Sequence, residues 1–150
     1  MIATRIFTTG LAALGVSAMA IGGGIFLFGP AAVADAFARL LAALGADSPA
    51  VSGLSNANAD SELRFYSALW IAFGALAINT ALRLPCDVVA SRRRANVLLA
   101  VFFLGGIGRA ISHMTIGAPH PLFSLLMWIE LAAPTALFLL SLRLQDRPAP

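Results

Sequence analysis

The sequence contains no lysine, one cysteine, one tyrosine and few charges of either sign. Each shortage excludes something. The lone Cys86 cannot close an internal disulfide, and no His or Cys stands near it at metal-ligand spacing. No P-loop, His/Cys cluster or Ser-centred elbow is present, so neither a cofactor nor a metal is expected. Charged residues make up 11% of the chain and apolar residues 59%, whereas a soluble domain has about one quarter charged. The net charge of +3 rests on arginines alone. They flank apolar runs instead of forming a basic face, which argues against nucleic acid as a partner.

Four long apolar runs are present: 6–28, 63–82, 97–116 and 122–142. A bilayer core of about 30 Å needs about 20 helical residues, and only helices or closed barrels satisfy the backbone in lipid. The runs are too long and too rich in Ala and Leu for barrel strands. The sequence therefore predicts an all-α fold, a four-helix transmembrane bundle forming one membrane domain over 1–150. Arg5 and Ala18-Met19-Ala20 give the first run a signal-peptide flavour, but its apolar stretch continues to Phe28, so an uncleaved first span is expected.

Arginine placement predicts orientation. With the N-terminus inside, Arg5, Arg83, Arg92, Arg93, Arg94, Arg143 and Arg147 lie inside and only Arg39 and Arg64 outside. Both termini are then cytoplasmic, with Arg92 to Arg94 anchoring the inner loop, 84–91, at anionic headgroups. The loop 30–60 lies outside. Within it Val33, Phe37, Leu40, Leu41 and Leu44 follow helical spacing, with Asp35 and Arg39 opposite as an i,i+4 pair. The spacing predicts a short amphipathic helix over 31–44, with Pro30 at its start, either lying at the interface or packed as a lid. A polar connector follows from Asp47, and Asp60 is a candidate N-cap for the second span.

Ionisable residues within a span are costly and mark candidate functional positions. Arg109 and Glu130 share a depth on adjacent antiparallel spans, roughly 10–12 Å from the same end, so a salt bridge is within reach if their faces meet. His113 is one turn from Arg109 on the same face. Pro134 lacks the N–H that would bond the Glu130 carbonyl and can kink the helix. Near the outer end of the second span Glu62 and Tyr66 share a face, and Arg64 could reach headgroups or Glu130. Gly105, Gly106 and Gly108 permit close helix approach. Simple structural roles compete with each: Glu62 as a first-turn acid, Tyr66 as an interfacial anchor, His113 as a bonded interior histidine, His120 as a solvated turn residue, Trp70 and Trp128 as packing residues. For Arg109 and Glu130 a structural ion pair and a ligand site stand level.

Four stretches carry a resemblance: Glu62-Leu63-Arg64-Phe65-Tyr66, Phe103-Leu104-Gly105-Gly106-Ile107-Gly108-Arg109, Gly117-Ala118-Pro119 and Ile129-Glu130. In these the chain resembles a family of small bacterial four-span integral membrane proteins catalogued as a domain of unknown function. The resemblance implies a four-helix bundle in the bacterial inner membrane and no established activity. Three functions compete. The favoured one is a non-enzymatic protein that binds a membrane lipid or small amphiphile in an outer-leaflet polar pocket, or joins a homo-oligomer or membrane-protein complex. The others are an enzyme using Glu130 or His113 as acid/base on a lipid-soluble substrate, and a small transporter subunit, for which an internal repeat is lacking.

Overall fold

A computed structural model describes residues 2–46, 48–49 and 51–144; Asp47 and Arg147 lie outside them. The described residues are helical apart from turns and one loop. Four helices are long and apolar enough to cross a membrane: α1 (Ile2–Phe28), α3 (Ala57–Arg83), α4 (Val88–Thr115) and α5 (Pro121–Ser141). The shorter α2 (Pro30–Ala43) lies between α1 and α3. The chain is thus an all-α, multi-pass membrane protein. Its many exposed large apolar side chains, among them Val97, Val101 and Leu104 on α4 and Leu69 and Leu76 on α3, are those expected of a surface solvated by lipid.

The helices extend beyond the apolar runs because polar caps, not hydropathy, decide where they start. Asn56 caps α3 by accepting from the Asn58 amide at 2.9 Å, so the helix begins well before Asp60, and Asp60 is not its cap. Asp87 caps α4 by accepting from the Ala90 amide at 3.0 Å. The connection between α3 and α4 therefore shrinks from 84–91 to a tight turn, and Arg92 to Arg94 stand on helix α4. Arg92 Nη1 donates to the Leu144 carbonyl at 3.3 Å, tying α4 to the end of α5.

Two helix pairs make the bundle. In α1 and α3 small residues let the backbones touch. A Cβ placed on Gly74 would lie 2.5 Å from the Gly15 carbonyl oxygen, and one on Gly22 would lie 2.9 Å from the Ser67 carbonyl oxygen. Helices α4 and α5 meet in the same way at Gly106, where a Cβ would come within 3.1 Å of the Glu130 carbonyl carbon. Gly108 is not part of this contact: nothing lies within 4 Å of where its Cβ would be.

The two pairs are joined mainly at the arginine-rich end. Phe7, Leu11, Ala77, Ala81, Leu84, Ala95, Leu99 and Leu144 form one buried cluster there. Further along, Trp70 packs edge-on against Phe73 and Phe102, a packing role for that tryptophan, whereas Trp128 is exposed. Towards the opposite end, where α2 lies, this contiguous apolar cluster stops, and α5 buries the charged Glu130 beside the apolar Leu122 and Met127.

Helix α2 packs on α1, α3 and α5 as a lid. It buries Pro30, Ala34 and Ala38, while Leu40 and Leu44 are exposed. The apolar stripe is thus split: Val33, Phe37 and Leu41 are half-buried beside the buried Ala34 and Ala38, and Leu40 and Leu44 are exposed. Among the described residues no ion pair joins Asp35 to Arg39. The corner between α1 and α2 turns at Gly29, whose φ of 87° and ψ of 159° only glycine adopts readily.

Candidate functional site between α4 and α5

Arg109 and Glu130 meet. Arg109 Nε donates to Glu130 Oε2 at 2.8 Å. The glycines of α4 permit this, because Gly106 brings the α5 backbone close and a Cβ on Gly105 would stand 4.0 Å from Oε2. The Glu130 side chain is 5% exposed and that of Arg109 35%. The pair is therefore lopsided, with a carboxylate enclosed in the helix interface and a guanidinium reaching towards its edge. The guanidinium carbon lies 5.8 Å from the centroid of the Phe123 ring, a cation–π contact from about two turns before Glu130 on α5.

A guanidinium has five N–H donors. Among the described residues the bond to Glu130 is the only hydrogen bond Arg109 makes, so the terminal nitrogens are uncommitted. One turn further along α4, His113 Nδ1 is buried without a hydrogen-bond partner. In hydrocarbon such groups have no water to turn to, and leaving them unmet is costly. Pro134, four residues after Glu130, is fully buried, and α5 runs through it without a break. Its missing N–H removes the usual partner of the Glu130 carbonyl.

The remaining candidates go elsewhere. Arg64 does not reach Glu130. Its Nε donates to Asp60 Oδ2 at 2.7 Å and its Nη1 to the Phe26 carbonyl at 2.7 Å. Phe26 is in the last turn of α1, where carbonyls lack helical partners and a cation is favoured. Arg64 thus clamps the start of α3 to the α1–α2 corner. A Cβ at Gly29 would fall 2.8 Å from its Nη2. Glu62 is exposed and lies beyond the first turn of α3, since the helix begins at Ala57. Tyr66 is exposed too and its ring packs edge-on against Phe65. The six sequence candidates therefore divide into an α4–α5 ion pair of Arg109 and Glu130, His113 one turn further along α4, a structural clamp at Arg64, and two surface residues.

His120 is more than a solvated turn residue. Its Nδ1 accepts from the Leu122 amide at 3.1 Å, capping α5. Its Nε2 lies 2.8 Å from the Pro49 carbonyl oxygen. A carbonyl only accepts, so Nε2 carries the proton and the neutral ring ties the long loop to the α4–α5 turn. The available signal was a polar residue before Pro121, a proline at a helix start.

Among the described residues no three His, Cys, Asp or Glu gather where they could hold a metal ion. No curated protein and no solved structure matches the chain. The family described as Domain of unknown function (DUF4345) matches residues 6–141, from the first membrane helix through the last, and the chain belongs to that family.

Proposed function

We propose that this protein is a non-catalytic membrane protein that binds the polar head of a lipid or small amphiphile between α4 and α5, at Arg109, Glu130 and His113. The observation that carries the reading is the uncommitted donor set of Arg109, partly exposed in the hydrocarbon region and one turn from the buried, unpartnered His113 Nδ1. A purely structural pair would be better closed, with both partners enclosed and the guanidinium fork fully used. The enclosed Glu130 holds the guanidinium in place, which suits binding more than proton transfer. The arginine-rich end faces the cytoplasm by the positive-inside rule, which puts the α2 end and this site in the outer leaflet of a bacterial inner membrane.

The test is native mass spectrometry of protein extracted in polymer-bounded discs of its own membrane, without detergent. The expected result is a stoichiometric small molecule or lipid on the wild type that is absent from the Arg109→Leu, Glu130→Leu double variant. Bulk lipid alone on both would refute the reading.

A further inference from the structure

The charge balance around Arg109 narrows the class of ligand. The argument rests on the binding reading just given. Arg109 is already neutralised by Glu130 at 2.8 Å, so the site has no net positive charge to offer. The surrounding end of the bundle offers none either. Its described acids are Asp35, Asp60, Glu62 and Glu130, against Arg39, Arg64 and Arg109. Arg64 is occupied by Asp60 and the Phe26 carbonyl. A phosphate or carboxylate placed on Arg109 would therefore sit beside the Glu130 carboxylate in a low-dielectric site, while Arg39, the cation of that end with no ion pair among the described residues, stands exposed on α2. Anionic headgroups find their arginines at the other end of the molecule.

What the site does offer is hydrogen bonds. The terminal N–H groups of Arg109 require an acceptor. His113 Nδ1 requires a donor or an acceptor according to its tautomer. A hydroxyl supplies both roles with one atom, accepting from Arg109 while donating to or accepting from His113. A carbonyl serves Arg109 and the protonated tautomer of Nδ1. An anion could accept from Nδ1–H of that same tautomer, so it is the Glu130 carboxylate beside Arg109, not His113, that disfavours it. We infer that the head bound at this site is uncharged and oxygen-bearing, a hydroxyl or carbonyl at the end of an apolar body, and not an anionic headgroup.

Dioleoylglycerol and dioleoylphosphatidic acid test this directly, since they share their tails and differ in hydroxyl against phosphate. Each is added in trace to nanodiscs of a zwitterionic host lipid that hold the full chain, and retained lipid is read by native mass spectrometry. The expected result is enrichment of dioleoylglycerol on the order of tenfold over dioleoylphosphatidic acid, a difference of about 1.4 kcal/mol. That enrichment falls in His113→Phe, in a protein whose unfolding temperature shows it is folded, and disappears in the Arg109→Leu, Glu130→Leu double variant. Preferential retention of dioleoylphosphatidic acid overturns the inference and leaves the binding reading standing. Retention of neither over the host lipid removes both. Equal dioleoylglycerol enrichment on wild type and double variant places the lipid elsewhere and also overturns the inference.

Discussion

Replacing Arg109 by leucine leaves Glu130 without its cation in the α4–α5 interface, and the two members of the pair are not equally placed to bear that loss. The Glu130 side chain is 5% exposed and packed against Gly105 and Gly106, with no path to water. Breaking a buried ion pair from one side costs about 3–5 kcal/mol. A value near the lower limit, about 3 kcal/mol, is expected for Arg109→Leu, because helices unfolded in a membrane also find partners for polar groups. Glu130→Leu strands Arg109 instead. That side chain is 35% exposed, lies roughly 10 Å from the end of its helix, and has a long apolar stem that can carry the charge towards the headgroups. The expected cost is about half as large, ~1.5 kcal/mol. With both replaced no charge is stranded, and a total of about 2 kcal/mol implies a coupling of about 2.5 kcal/mol between the two positions. Equilibrium unfolding of the four proteins in mixed micelles of increasing dodecyl sulfate content measures each term. A double variant whose cost equals the sum of the singles, or a Glu130→Leu that costs more than Arg109→Leu, would refute the reasoning.

Four other positions give sharp expectations. Gly74→Ala should destabilise by about 1–3 kcal/mol, because its Cβ would meet the Gly15 carbonyl oxygen at 2.5 Å and backbone there cannot yield cheaply. Gly108→Ala, with open space at that point, should be neutral or slightly stabilising in the same unfolding assay. His120→Asn should keep much of the α5 cap but lose the bond to Pro49, so hydrogen exchange should quicken in the loop before Asn56 while the Leu122 amide stays protected; His120→Ala should speed both. Arg64→Leu removes two interactions at once, to Asp60 and to the Phe26 carbonyl, and should loosen the corner at Gly29. Limited proteolysis between α1 and α2 that is no faster than in wild type would count against the clamp.

Chain length, hydropathy and arginine placement were enough to read four apolar helices in the right order, because in lipid the backbone has almost no alternative to the helix. The polar caps were legible with less certainty. Asp60 and Asn56 are both good N-cap residues; with the cap at Asn56, Asp60 stands inside α3 and pairs with Arg64 one turn on. The depth match of Arg109 and Glu130 was likewise a matter of counting residues along two antiparallel helices. Whether their faces meet was not, since rotation of a helix about its axis leaves depth unchanged.

Rotation and partner choice are what the tertiary structure decided. Many glycines and alanines are spread over these helices, and the sequence alone does not say which of them touch. Gly106 meets α5 whereas Gly108 faces open space, and Gly15 and Gly74 form a close crossing that no charge pattern announces. Arg64 had acceptors available in two directions; Asp60, one turn back on its own helix, and the Phe26 carbonyl at the end of α1 take it, not Glu130. The apolar periodicity of α2 marked a face but not its occupant, and packing chose Ala34 and Ala38 over the larger Leu40 and Leu44 because small side chains admit a close approach to the bundle. Sequence by itself thus determined which segments are apolar enough to cross a membrane and how far along its helix each charge lies, since both follow from position along one axis. Only the folded bundle determined which side chains face one another, since that depends on how neighbouring helix surfaces fit.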